Sequence, residues 1–418
     1  MTRRRLALVG VVLLVAACVE RLTAPGHCPE FCPSGQITIV DTLLTSNIHG
    51  DSSFRGYVLA HEASLMLATR VPGATDTLDS RPIFRINGLG SRLVLSATDT
   101  GAILGADSAR IRLVVLRRDT ATHNLRLQFY RLPITIDSGT TFGSVASPFI
   151  DSLVRTVNID TLLAQPGRKD SVTGDSVVSD DTVSHQLVVS LKLDSAAARY
   201  VLTDSGTVAY GIRVAADSLA SLAIGKGTLL GPVLQWYLRV DSLGTTVART
   251  PVGLLAPFAS FVFAPPPAAL DSTLAVGGVP STHSLLRVAF PRFIRDSSQI
   301  IRGTLFLVPA VAARGATADS FVIEARPVLA DFGAKSPIAA GIGDTAIIHP
   351  GATDTVKIEV TNLLQLWAAD STRPTVLALR PQAEAQFLGE IRFYPSVATA
   401  FRPTLQVTFV RRFPFGVP

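Results

Sequence analysis

A chain of 418 residues is long enough for two or three bodies, each with its own core, and its hydrophobic share of 47% excludes wholesale disorder. The formal net charge is +6, and removing the three arginines among residues 1–17 leaves 6 − 3 = +3. Its basic residues, mostly Arg, are scattered rather than clustered, which excludes a nucleic-acid footprint.

At the N-terminus Arg3, Arg4 and Arg5 precede an apolar run from Leu6 to Ala17, the pattern of an export signal. The run is shorter than the roughly 20 apolar residues that cross a bilayer, so removal is expected rather than a permanent span. The segment Val15-Ala16-Ala17-Cys18 resembles the bacterial lipobox, which implies cleavage after residue 17 and lipidation of Cys18. Val19 stands where inner-membrane retention would, by the same resemblance, have Asp, so the expected location is the cell envelope, anchored by lipid at the outer membrane. Residues 18–34 read as a linker containing Cys28 and Cys32. An oxidising compartment lets those two pair, and so short a loop stiffens the exit from the membrane without adding much to stability. Zinc or redox chemistry is the alternative, with only His27 nearby and no second cysteine pair.

From Gly35 onward short alternating segments are separated by Asp, Ser, Thr, Gly and Pro, which predicts half-buried strands joined by turns. Val356, Ile358 and Val360 share one face against Thr355, Lys357 and Glu359, and Leu405, Val407 and Phe409 alternate with Thr404, Gln406 and Thr408. An internal repeat appears in the order of segments: residues 80–86 answer 283–290, 109–116 answer 301–308, 125–129 answer 321–325, and 231–238 answer 402–409. The expected fold is all-β, two tandem antiparallel β-sandwiches of jelly-roll type. The first takes residues 35–250 with an insertion at about 136–185. A linker over 251–263 leads to the second at 264–412, near the stiff Pro265-Pro266-Pro267, and a tail covers 413–418.

Three segments of the second copy carry a family resemblance. They are Leu274-Ala275-Val276-Gly277-Gly278 followed by Ser284-Leu285-Leu286-Arg287-Val288; Val360-Thr361-Asn362-Leu363-Leu364-Gln365-Leu366-Trp367; and Phe393-Tyr394-Pro395-Ser396 followed by Phe401-Arg402-Pro403-Thr404-Leu405-Gln406-Val407-Thr408-Phe409. Together these resemble the DNRLRE-type jelly-roll modules related to disaggregatase repeats and to a carbohydrate-binding module family. The resemblance spans residues 260–410 and implies a sandwich with a short helical turn holding a core Trp. It departs from the pattern at Glu359 and Val397, where Asp and Glu would stand.

Trp367 among Leu363, Leu364 and Leu366, and Trp236 between Leu234 and Leu238, read as core. Tyr130, Tyr237 and Tyr394 are the candidates for stacking on a ligand ring. Catalytic constellations are lacking: Gly50-Asp51-Ser52 and Gly174-Asp175-Ser176 have no later Asp-x-x-His, and there is no Gly-x-Ser-x-Gly elbow or His-Glu-x-x-His helix. An enzyme is therefore not expected, nor is a cofactor; turn aspartates offer the hard oxygen ligands that structural calcium takes, yet no loop has EF-hand spacing. The expected function is a non-catalytic surface lipoprotein that binds a glycan or cell-wall polymer. The alternative is a structural lipoprotein that binds an envelope protein and no carbohydrate.

Overall fold

The computed structural model describes residues 38–71, 77–88, 90–118, 122–163, 167, 169, 178–181, 186–192, 207–248, 252–316 and 320–411. Cys18, Cys28, Cys32, the export signal and Gly174-Asp175-Ser176 lie outside the described residues.

The chain is all-β. It begins with β1 (Ile39–Leu44) and β2 (Ile48–Arg55). A first body follows: β3 (Leu65–Val71), β4 (Leu78–Ile86), β5 (Arg92–Val94), β6 (Thr100–Arg118), β7 (Arg126–Leu132), β8 (Leu153–Asn158), β9 (Val178–Asp181), β10 (Gln186–Lys192), β11 (Val208–Ala215), β12 (Ala220–Gly225), β13 (Val233–Ser242), β14 (Thr245–Ala248), β15 (Val252–Leu255) and β16 (Phe258–Ala264). A second comprises β17 (Leu274–Gly277), β18 (Thr282–Val288), β19 (Ser298–Leu307), β20 (Phe321–Pro327), β21 (Asp344–Ile348), β22 (Val356–Glu359), β23 (Val376–Pro381), β24 (Glu390–Phe393) and β25 (Thr404–Arg411).

In the second body a four-stranded sheet, β1-β25-β19-β22, packs on a seven-stranded one, β21-β20-β23-β18-β17-β24 with β2 added on β18. Leu405, Val407 and Phe409 point into the space between them with Leu286, Leu305 and Ile323, and the helix Thr361–Ala369 adds Leu363, Leu364 and Trp367 to this core. Period-two alternation puts those side chains on one face, while Thr404, Gln406 and Thr408 stay half exposed on the other. The first body joins its strands as β14-β13-β6-β12-β3-β4-β11-β7-β8, with β10 and β5 on β6, β9 on β10, β15 on β13 and β16 on β4. Its core gathers Met66, Phe84, Ile111, Phe129, Ile212 and Trp236.

Several pairings recur between the bodies, although in the first β6 also pairs β12 and joins that body into a single sheet. The contacts β17–β18, β17–β24, β18–β23, β20–β23 and β20–β21 have counterparts in β3–β4, β3–β12, β4–β11, β7–β11 and β7–β8. Likewise β19–β22 and β19–β25 match β6–β10 and β6–β13. The segments aligned in the sequence fall on β4 and β18, β6 and β19, β7 and β20, and β13 and β25.

Each body is completed by a further strand pair, and here the expected boundaries require correction. In the first body the pair is β15, on β13, and β16, on β4 across all seven of its residues. Residues 251–263 are therefore largely sheet rather than linker. In the second body the corresponding places, beside β25 and β18, are taken by β1 and β2 from the far end of the chain. Leu44 and Ile48 are buried in the second core, so residues 39–55 do not belong to the first sandwich. Gly56, at φ 104°, turns the chain out of β2, and residues 56–64 lead to β3.

Candidate binding cleft

Two links join the bodies, residues 56–64 and 265–273, and a cleft of about 500 Å³ opens beside the second. Its walls come from both bodies: Val71, Leu78 and Phe263 from the first, Gly278, Arg314, Leu388, Gly389 and Glu390 from the second, with Pro265 and Pro267 along the link. Clefts at such junctions are common binding places because neither body has to open its core to form one. Gly278 is required there for a steric reason. A Cβ at this position would stand 2.1 Å from the backbone oxygen of Phe387, which no rotamer change relieves. Arg314 is exposed and held to Glu390 by backbone hydrogen bonds in both directions, 2.9 and 3.2 Å.

The Glu390 carboxylate is fixed by two guanidinium groups, Arg55 at 2.6 Å and Arg392 at 2.8 Å. Arg55 also donates to Thr282 Oγ1 at 3.1 Å and to the Ala268 carbonyl at 2.9 Å, and Arg392 donates to the same carbonyl at 2.8 Å and to Asp271 at 3.1 Å. Buried charges persist only when paired and hydrogen-bonded, and both conditions are met. The Asp271 carboxyl is held below the usual range, first by its hydrogen bond from the Thr273 hydroxyl, with Arg392 adding to the effect.

A second polar network runs along the outer face of the seven-stranded sheet. His283 Nε2 meets Glu384 at 3.1 Å, Arg380 bridges Glu384 at 2.7 Å and Glu324 at 3.2 Å, and Arg326 closes on Glu324 at 2.7 Å. The Tyr57 ring lies flat on His283, 3.8 Å between centroids, and its hydroxyl donates to the Ala334 carbonyl. Burial alone would push the Glu384 carboxyl up, but the hydrogen bonds from His283 and Ser281 and the Arg380 charge outweigh it and hold it below the usual range. Burial, with the nearby Glu384 charge, raises the Tyr57 phenol.

The three candidate tyrosines do not converge. Tyr130 is only 5% exposed and packs on Phe149 at 5.1 Å, which removes it as a stacking surface. Its face of β7 is covered by residues 133–152, whose Ile136, Val145 and Phe149 form a separate small core with Tyr130 and Leu132. Tyr237 is half buried on β13, and in the strand order β6, β12, β3, β4 and β11 lie between it and β7. Tyr394, also half buried, stands just beyond β24 and pairs with Phe401 at 5.5 Å. Phe401 is 61% exposed and occupies the left-handed region at φ 60°, uncommon for an aromatic residue. Nothing in the residue order marks that conformation, and sequence reading missed Phe401.

Ser52 Oγ bonds to the Asp51 carbonyl at 2.7 Å and receives Arg287 at 3.4 Å, while the Asp51 carboxylate takes the Ser396 backbone N–H. That arrangement couples no hydroxyl to an imidazole, so Gly50-Asp51-Ser52 works as a sheet-edge clamp. Among the described residues no three His, Cys, Asp or Glu side chains are grouped to hold a metal ion, and no helix is long and apolar enough to cross a membrane.

No family model matches the chain, and no curated protein matches it. Among solved structures, an alpha-L-rhamnosidase from Dictyoglumus thermophilum is similar over 85% of this chain at 9% identity and a TM-score of 0.13. The chain spans 35% of that protein's length, and a likeness at this score carries no argument.

Proposed function

We propose that this protein is a non-catalytic lipoprotein of the bacterial cell envelope, anchored through Cys18, whose folded part binds a saccharide segment. The observation that carries the reading is the cleft between the bodies, where apolar walls from Phe263, Pro265, Pro267 and Leu388 stand beside Arg314 and Glu390. Sugar rings offer an apolar face and a polar rim, and such a lining matches both. The Tyr394–Phe401 pair supplies ring surface at the other end of β24, roughly 13 Å away at about 3.3 Å per residue, within reach of an extended polymer.

The test is a pulldown of the full chain on insoluble polysaccharides and a glycan array, with and without calcium. Arg314→Ala and Phe401→Ala should each weaken retention about tenfold, roughly 1.4 kcal/mol, without moving the melting temperature. Absence of retention on every polysaccharide refutes the reading. A structural or protein-binding role then takes its place, favoured by one further observation. The turn between β13 and β14 presents Leu243 at 88% exposure, beside a β5–β6 edge that exposes Val94 and Leu104.

A further inference from the structure

The pair β1–β2 fills a slot in a body from which it is separated by the whole of the first body. The slot is specific. β1 runs along β25 from Ile39↔Val410 to Leu44↔Leu405, and β2 runs along β18 from Arg55↔Thr282 to Ile48↔Val288. Side chains lock the register: Gln406 and Thr408 hold Asp41 at 2.7 and 3.0 Å, Ser53 bonds Ser284 at 2.9 Å, and Arg55 meets Glu390. None of these contacts depends on which chain supplies the pair. The connection to the first body is short: the Val58 and Ser281 backbones are still bonded at 3.0 Å, and β3 starts at Leu65.

From this arrangement we infer that β1–β2 is an exchangeable clasp, and that its partner is a second copy of this chain. When the clasp of one copy seats in the second body of another, every strand pairing and polar contact of the clasp is regained, so closed and exchanged forms differ in the links, in the packing of the first body on Val279 and Ala385 of the second, and in effective concentration. The donor's own second body is then open and accepts a clasp in turn, giving closed dimers if the exchange is mutual and head-to-tail chains if it is not. Anchoring copies to one surface would raise their local concentration and favour exchange. The inference is independent of any saccharide ligand.

Crosslinking decides it. In the full chain carrying Cys18→Ser, Cys28→Ser and Cys32→Ser, cysteines are placed at the facing positions Leu43 and Gln406, which are register partners on the outer face of the four-stranded sheet. One preparation carries Leu43→Cys alone, a second Gln406→Cys alone, a third both. The double variant should close within one chain under oxidation, which establishes that the pair can bond. The two single variants, warmed together at high concentration to the onset of unfolding, cooled and oxidised, should give a covalent species of twice the 44.3 kDa chain mass. Each single variant treated alone should give no covalent dimer, because its exchanged copies carry no facing thiols. The inference is overturned if the double variant closes but the mixture yields no heterodimer. Equal dimer in the unmixed preparations, which would mark random collision, overturns it as well. Failure of the double variant to close overturns the pairing on which it rests.

Discussion

Ile48→Ala tests the assignment of the N-terminal strands to the second body. Ile48 is 3% exposed on β2, opposite Val288, and lies in one core with Leu44, Leu286 and Trp367. Truncating a buried isoleucine to alanine costs about 2–5 kcal/mol, and in a body of 150–250 residues each kcal/mol moves the melting temperature by about 2–4 °C. The expected loss is therefore about 4–20 °C for the second body. The chain has two tryptophans, and each sits in a different core, Trp236 in the first and Trp367 in the second. In a Trp236→Phe background the fluorescence of Trp367 reports the second body alone, and Trp367→Phe gives the converse reporter. Ile48→Ala should lower the Trp367 transition by the stated amount, measured against its own background. A shift of the Trp236 transition alone, or of neither, refutes the assignment.

Tyr130→Ala should act as a core truncation in the first body, costing about 3–5 kcal/mol as for other buried aromatics, and should be read as a lowered Trp236 transition rather than as a selective loss of ligand. Gly278→Ala places a Cβ against a backbone oxygen, so calorimetry should show at least the about 1–3 kcal/mol of an overpacked site. The folded-state pKa of Glu384 lies below its ordinary value, so its stabilising contribution is present above the unfolded carboxyl pKa and disappears as pH falls through the folded one. Denaturant midpoints measured down an acid series should therefore fall less steeply for Glu384→Gln than for the unaltered chain, and parallel curves would count against the His283–Glu384–Arg380 network.

Alternation in the sequence identified which side of a strand faces inward, and in places it did so residue by residue. Leu405, Val407 and Phe409 are all buried, and the Leu363-Leu364-Trp367 cluster lies on a helix that covers the same core. What alternation does not encode is the partner. The residues of β1 read as a half-buried strand whichever sheet receives them, and their place on β25 follows from contacts some 365 residues away in sequence, such as Asp41 with Gln406. Tyr130 was misread for a related reason. Its neighbours Leu127 and Phe129 mark the inner face of β7, which correctly puts Tyr130 on the other side, but residues 133–152 fold back over that side and make it a second interior. The cleft was invisible to sequence reading because its walls come from stretches of the chain far apart in sequence, brought together only when the links cross between the bodies.

The position of the clasp also constrains the order of folding. All the pairings of the first body lie within residues 65–264, whereas the second needs Arg55 to meet Thr282 across a separation of 227 residues. Loop closure costs about 1.5RT ln n, which penalises that encounter while the intervening chain is unfolded. Once the first body has formed, the effective loop shrinks to residues 56–64 and 265–273, roughly 18 residues together, and the saving is about 2 kcal/mol. Formation of the first body therefore speeds completion of the second, and the first body, whose described strand pairings all lie within residues 65–264, forms without waiting for it. In refolding from denaturant, Trp236 should be buried before Trp367 reaches its native signal. A Leu67→Ala truncation in the first core, at a fully buried β3 position, should delay the Trp367 phase as well as its own. Native Trp367 fluorescence arriving first, or arriving undelayed in Leu67→Ala, would show that β1–β2 finds β18 without the first body to hold it near.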